Sequence, residues 1–213
     1  MDTSKVNQGF YKTIQKRRTV RNFQEKPVER EKLIRILQAG MKAPSNNHLR
    51  EWHFIFLRDL AKRREIFELG NAFSRAPDRK FLDETLSKIT NPYQRQIYAY
   101  SVPIQEQIFL SAPELLVVCF RMERSLSTCQ TLFELNNFAS IWLAVENILL
   151  AMAAEGLFGV TMVPFNTSTL KQLLNLPEDY EIATFIPMGY PKREPPLNQV
   201  KIDIEERIHI NAW

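Results

Sequence analysis

The sequence predicts an α/β or α+β sandwich built around a small sheet. Three short apolar runs read as strands: 52–57 (WHFIFL), 115–120 (LLVVCF) and 182–188 (IATFIPM). Stretches of helical periodicity separate them, and the strongest, 138–157, is apolar over a broad face. A hydrophobic share of 45% is enough to bury a core, and 213 residues without repeats or low-complexity linkers suit a single domain, 1–213.

Each element can be argued from local chemistry. Residues 8–18 read as a helix, with Phe10 and Ile14 four apart. Pro27 breaks the pattern, and 29–41 is amphipathic: Leu33, Ile36, Leu37 and Met41 recur at helical spacing, and Glu29 and Glu31 suit the positive end of the helix dipole. Pro44-Ser45-Asn46-Asn47 is loop by composition, and it leads into the strand 52–57. Residues 60–112 are helical in tendency but punctuated by Pro77, Pro92 and Pro103, with Pro113 just beyond, which marks a variable, lid-like excursion. The helix 138–157 carries Ile141, Ala144, Val145, Ile148, Leu149 and Met152 on its apolar face, and Gly156 suits its cap. Residues 159–165 read as a strand stopped by Pro164, and 168–174 as a short helix. The tail, 195–213, alternates Ile202, Ile204, Ile208 and Ile210 with polar residues and reads as an extended arm.

Composition removes several function classes. No run of about 18 uninterrupted apolar residues is present, and the first 18 residues hold Lys5, Lys12, Lys16, Arg17 and Arg18 without an apolar core, so a cytoplasmic soluble protein is expected. Two cysteines make neither a disulfide framework nor a metal knuckle, and three histidines without i,i+4 pairing argue against a metal site. Cys119 reads as a core thiol. Residues 1–64 hold 16 Lys/Arg against 6 Asp/Glu and the remainder 12 against 18, so a net charge of +4 hides halves of +10 and −6. Such asymmetry fits an anionic ligand, an interface between the halves, or nucleic acid. Aromatics do not interleave with the basic cluster as single-strand binders require, so nucleic acid is not expected.

The catalytic motifs of common enzymes are also missing. There is no G-x-S-x-G elbow, no G-x-x-x-x-G-K-[ST] and no G-x-G-x-x-G, and six glycines leave little scope for a glycine-rich phosphate cradle. Any bound nucleotide must be held by side-chain cations. Arg17-Arg18-Thr19-Val20-Arg21 places three guanidiniums and a hydroxyl within five residues. Guanidiniums pair bidentately with phosphate and donate to carbonyl oxygens. In an extended segment Arg17, Thr19 and Arg21 share one face. A solvated basic turn is the plainer reading of the same residues.

RRTVRNF at 17–23, Pro27-Val28 before a helix, and APSNNHLREWHFIFL at 43–57 together resemble the nitroreductase family of flavoproteins. AVENILLAMAAEGLFGVTMVPFN at 144–166 is similar to that family's central helix and the strand after it, and TFIPMGYPKREPPL at 184–197 to its strand ending in G-Y-P. The likeness spans the chain except about 60–112. It implies an α+β fold, an α/β/α sandwich with a central mixed sheet, in an interlocked homodimer with FMN at the subunit interface. It implies FMN reduced by NADH or NADPH, and ping-pong hydride transfer to nitroaromatics, quinones or similar acceptors. Under this resemblance Arg17, Arg18, Thr19 and Arg21 hold the FMN phosphate, ribityl chain and pyrimidine edge. Pro44, Ser45 and Asn46 reach the flavin from the partner subunit, and Thr161, Met162 and Val163 run beside the ring with backbone N–H groups toward it. Lys201 supplies a second phosphate contact, and Asn47 and His48 face the substrate, His48 as a loop hydrogen-bonder. No side-chain acid or base is expected to be catalytic, because the flavin carries the chemistry.

Some residues depart from the family pattern. His48 stands where many members have Asn, and Arg50-Glu51 where they have Gln-Pro. His48 and the VPFN at 163–166 are similar to the iodotyrosine-deiodinase-like branch, which makes reductive dehalogenation the alternative, with a non-catalytic flavin-binding protein beside it. Met162 and Val163 replace that branch's hydroxyl residues, which favours two-electron hydride chemistry. Phe73, Tyr93, Tyr98, Tyr100 and Phe109 in the excursion are candidates for a platform over the flavin.

Overall fold

The computed structural model describes residues 8–70, 73, 79–196 and 202–213. A four-stranded sheet in the order β1-β2-β4-β3 forms the middle layer, with β1 at Trp52–Phe56, β2 at Glu114–Arg121, β3 at Phe158–Gly159 and β4 at Tyr180–Gly189. All three pairings between these strands are antiparallel. The mixed character expected of the sheet comes down to one parallel bridge, between Thr19 and Gly159.

The two faces of the sheet are set by the alternation of side chains along β2. Leu116, Val118 and Phe120 point to one side, where helices α2 (Arg30–Gly40) and α7 (Asn136–Ala154) cover them; Leu115, Val117 and Cys119 point to the other, under α3 (Leu60–Leu69), α6 (Gln105–Ser111) and α8 (Ser168–Leu173). A bulge between Val118 and Cys119 lets Ala183 slip into the ladder of β4 without losing this alternation. With helices on both faces, β2 and β4 are buried almost end to end. The first strand differs. Of WHFIF only Trp52 is buried, because β1 is a sheet edge.

Helix α7 is the spine. Ile141, Val145, Ile148 and Met152 are each about fully buried, and burial of this kind stabilises by roughly 1.5–3 kcal/mol per side chain. The segment Phe133–Ala154 is long and apolar enough to cross a membrane by length and composition, with a mean hydropathy of 1.4; here it is the core helix against α2 and the sheet. Gly156 ends it at φ +78°, a left-handed cap in which Leu157 N–H donates to Met152 O at 2.8 Å. Helix α1 (Gln8–Lys16) packs on the outside of α7.

The excursion at 60–112 is not uniform. Its two ends, α3 and α6, belong to the core through Ile66, Phe67, Ile108 and Phe109. Between them lie α4 (Arg79–Ser87) and α5 (Pro92–Ser101), and α5 buries no residue. Phe73 and Phe109 are core residues rather than a platform: they cluster with Phe67 and Phe185 at ring separations of 5.3–5.9 Å. Cys119 is fully buried, and burial pushes its thiol up to about 12, so it is inert near neutral pH.

Candidate functional site

The basic segment is held against the sheet at both of its ends. Val20 N–H donates to Gly159 O at 3.0 Å, and Thr19 bridges Gly159. Beyond Arg21, Gln24 N–H donates to Tyr190 O at 2.9 Å and Lys192 N–H to Asn22 O at 3.1 Å, while Phe23 is buried and bridges Pro191. Residues 19–24 therefore form an extended ledge along β3 and the end of β4. Val20 packs against the core, which leaves Thr19 exposed on the other side with Arg21 beside it.

The guanidiniums do not all point the same way. Arg21 is half-buried, and desolvation pulls its pKa down, partly offset by Tyr100 of α5; an arginine stays charged even so. Arg18 donates from Nε to Pro196 O at 3.0 Å and from Nη1 to Arg17 O at 2.6 Å, which ties the start of the C-terminal arm to the ledge. Arg17 faces α7, with Nε 3.8 Å from Glu146 Oε1. The single shared face expected for Arg17, Thr19 and Arg21 thus opens into a fan around Thr19.

The strip Thr161–Val163 comes directly after the bridge at Gly159. Met162 N–H donates to Phe185 O at 2.8 Å and Phe185 N–H returns to Met162 O at 2.9 Å. Its side chain is buried as well, so Met162 has no N–H to offer a ring; in an extended segment the peptide groups of Thr161 and Val163 face away from that pairing. Val163 is exposed. The structure brings the strip next to the ledge that carries Thr19 and Arg21, with Arg17 and Arg18 immediately before it.

The loop at 44–48 is elsewhere. Asn46 N–H donates to Ser140 Oγ at 3.0 Å and Asn46 Nδ2 to Asn137 Oδ1 at 3.4 Å, which moors the loop to the first turns of α7. Glu146, where the ledge meets α7, lies six residues further on and about 240° around that helix. Asn47, His48 and Arg50 all have left-handed backbones, at φ 50°, 58° and 48°. Non-glycine residues adopt this region at a cost, and strain of this sort gathers where loops are held for function. Among the described residues, one buried side-chain oxygen finds no hydrogen-bond partner, and it is Ser45 Oγ. Asn47 and His48 are exposed. Lys201 lies outside the described residues.

A broad cleft among the described residues does not coincide with the ledge. It encloses about 1610 Å³ between the turn Met122–Ser127 and the segment from Val163 to Ser168, and shares only Val163 with the ledge and strip. Several of the charged groups that line it are paired: Lys171 with Glu181 at 3.0 Å, and Asp179 with Arg121 at 2.6 Å. The cations of this cleft, Arg124 and Lys171, are engaged by Glu134 and Glu181, so the arginine cluster at 17–21 is the better match to an anionic cofactor.

A sequence profile of the nitroreductase family matches residues 14–190, a span that takes in the ledge, the loop, the strip and the whole sheet. The chain belongs to the nitroreductase family. An iodotyrosine deiodinase of Thermotoga neapolitana is 25% identical over 194 residues, covering 90% of this chain and 95% of that one. A protein of Archaeoglobus fulgidus with a provisional assignment as an NADH dehydrogenase/NAD(P)H nitroreductase is 26% identical over 212 residues, covering 95% and 97%. The structure of oxidised iodotyrosine deiodinase bound to FMN and 3-iodo-L-tyrosine superposes with a TM-score of 0.72 at 22% identity, covering 96% of this chain and all of that one.

Three residues of this nitroreductase fold escape a reading of the sequence. Gly159 carries the bridge to the ledge, Ser140 moors the loop, and Glu146 sits against Arg17. The first has a readable signal, a glycine inside an apolar strand pattern, which marks close backbone approach.

Proposed function

We propose that the chain is an FMN-dependent oxidoreductase that takes electrons from NADH or NADPH and delivers them in pairs to a small aromatic acceptor, such as a nitroaromatic or a quinone. One observation carries this reading: the bridge of Thr19 to Gly159 joins three arginines and a threonine to the Thr161–Val163 strip. The donor set fits FMN. Guanidiniums suit a phosphate dianion and the pyrimidine carbonyls, exposed Thr19 suits the ribityl chain, and the buried Ser45 Oγ without a partner suits a ring heteroatom. FMN, when bound, supplies the hydride chemistry. The protein holds the phosphate through Arg17 and Arg18, sets positive charge at the pyrimidine edge through Arg21, and directs peptide groups of Thr161 and Val163 toward the ring.

A homodimer belongs to the same reading. The loop at 44–48 and the ledge meet α7 on different faces, so one site is best completed by a ledge from one chain and a loop from another. Exposed Ile202, Ile204, Ile208, Ile210 and Trp213 on the arm, with Phe10, Tyr11 and Leu143, offer the apolar area such a pairing covers. The protein is expected to sediment at twice its chain mass of 25.0 kDa.

Reductive dehalogenation is a second reading, favoured by the names of similar proteins and by His48 and Asn166. Against it, Met162 and Val163 place no hydroxyl beside the ring. An anaerobic titration with NADH and with NADPH, following the flavin band near 450 nm, tests the first reading. Rapid bleaching by either nucleotide is the expected result. A bound flavin reduced by dithionite but by neither nucleotide would favour the dehalogenase-like or non-catalytic reading, and a protein that fails to take up FMN would sink both.

Arg18→Ala is expected to weaken FMN binding by about 10- to 150-fold, the loss of one charge-assisted contact worth roughly 1.5–3 kcal/mol. Equilibrium titration of flavin fluorescence checks this. Unchanged affinity would remove Arg18 from the site and leave it a structural role that includes its bond to the arm at Pro196.

A further inference from the structure

Just before the ledge, Arg17 pairs with a carboxylate: its Nε lies 3.8 Å from Glu146 Oε1 on α7. Both side chains remain partly open to solvent, 30% for Arg17 and 53% for Glu146, so neither is locked into the pair by burial. Helix α1 packs on α7 immediately before Arg17, and Arg17 N–H closes the last turn of that helix by donating to Thr13 O at 3.0 Å. The backbone at Arg17 is therefore fixed beside α7, with its guanidinium at Glu146 and Thr19 of the ledge two residues on. We propose that Glu146 is a built-in competitor of the flavin phosphate for Arg17, and that it sets how strongly the site prefers a phosphorylated flavin over an unphosphorylated one.

The inference rests on the FMN reading and adds a residue that opposes binding. A phosphate dianion that engages Arg17 must either displace the Glu146 carboxylate or share the guanidinium with it. Displacement forfeits the existing ion pair, which for exposed partners is modest. Sharing brings like charges within several ångströms of each other, a penalty that water softens without abolishing. Both routes subtract from the phosphate's contribution and from nothing else, because riboflavin makes no demand on Arg17.

The test compares FMN and riboflavin binding to wild-type protein, Glu146→Gln, Arg17→Gln and the double variant, by flavin fluorescence at low and moderate salt. Glu146→Gln keeps the size of the side chain and removes the charge. It is expected to tighten FMN by about three- to tenfold at low salt, to leave riboflavin unchanged, and to lose part of its advantage as salt rises. In the Arg17→Gln background the same substitution is expected to change FMN affinity by much less than in the wild type. Unchanged FMN affinity in Glu146→Gln overturns the proposal, as does an equal change for both flavins, which would mark a structural effect. Weaker FMN binding also overturns it and would make Glu146 a residue that orients Arg17. Wild-type protein that binds no FMN would overturn the cofactor reading itself, a result distinct from wild-type binding with an inert Glu146.

Discussion

Replacing Arg63 with alanine is expected to lower the unfolding free energy by about 3–5 kcal/mol. Arg63 sits within α3 at 4% exposure and spends its guanidinium on main-chain carbonyls: Nε donates to Leu57 O at 2.6 Å, and Nη1 to Ala112 O at 2.6 Å and Leu110 O at 3.3 Å. Those carbonyls belong to the end of β1 and the junction of α6 with β2, pieces of chain that α3 joins through this one side chain. Removing the side chain strands buried acceptors and opens a void beneath α3, two costs that add. In a domain of this size the loss corresponds to a fall in melting temperature of roughly 6–20 °C. Urea unfolding at fixed protein concentration reads it directly, and a loss under about 1 kcal/mol would mean that water takes over the carbonyls. Desolvation pulls the Arg63 pKa down, with Glu114 opposing. The group stays charged throughout the accessible range, so the loss should not vary between about pH 5 and pH 9. Arg63→Lys, which keeps the charge without the planar fork, is expected to fall between the two.

That arginine shows where the sequence stops being legible. Residues 1–64 hold 16 basic side chains, and nothing in composition says which one is buried. The clue is positional: Arg63 shares a helix face with Ile66 and Phe67, the buried residues of α3. Elements whose burial is dictated by their own pattern are readable. β2 and β4 are continuous apolar runs because helices cover both faces, and α7 has one broad apolar stripe. The pattern overstates the strand after α7, since 159–165 reduces to two paired residues, 158 and 159, and one bridge at Met162. Val160 and Met162 are buried in the second core, whereas Val163 and Phe165 are exposed. The edge position of β1 is not readable, because exposure at a sheet edge depends on which strands lie beside it. At the site, the arginines and the loop are visible as motifs. Their directions are not: Arg17 turns to Glu146 and Arg18 to Pro196 because of partners more than 120 residues away in sequence.

Gly159→Ala is expected to damage fold and cofactor site together. A Cβ at this position would lie 2.5 Å from Pro187 O and 2.9 Å from Met152 Cε. The terminal methyl of Met152 can move aside, but Pro187 O belongs to β4 and is held in the sheet, accepting from Val160 N–H at 3.3 Å. The added methyl must push β3 away from β4, and overpacking of this kind costs about 1–3 kcal/mol. The same displacement carries the site with it, since Gly159 O is the acceptor that fixes Val20, and Thr161–Val163 begins two residues later. A shift approaching 1 Å misaligns the arginine ledge with the strip, and FMN affinity is expected to fall on the order of tenfold or more. Gly156→Ala separates the two effects. There a Cβ meets nothing within 4 Å, and the strain comes from φ +78° alone, so a destabilisation of about 1 kcal/mol is expected with flavin binding intact. Flavin titration of both variants, paired with urea unfolding, gives the comparison. Equal flavin loss in both would show that affinity tracks stability in general. Loss confined to Gly159→Ala would locate the coupling at the one backbone contact where sheet, spine helix and arginine ledge converge.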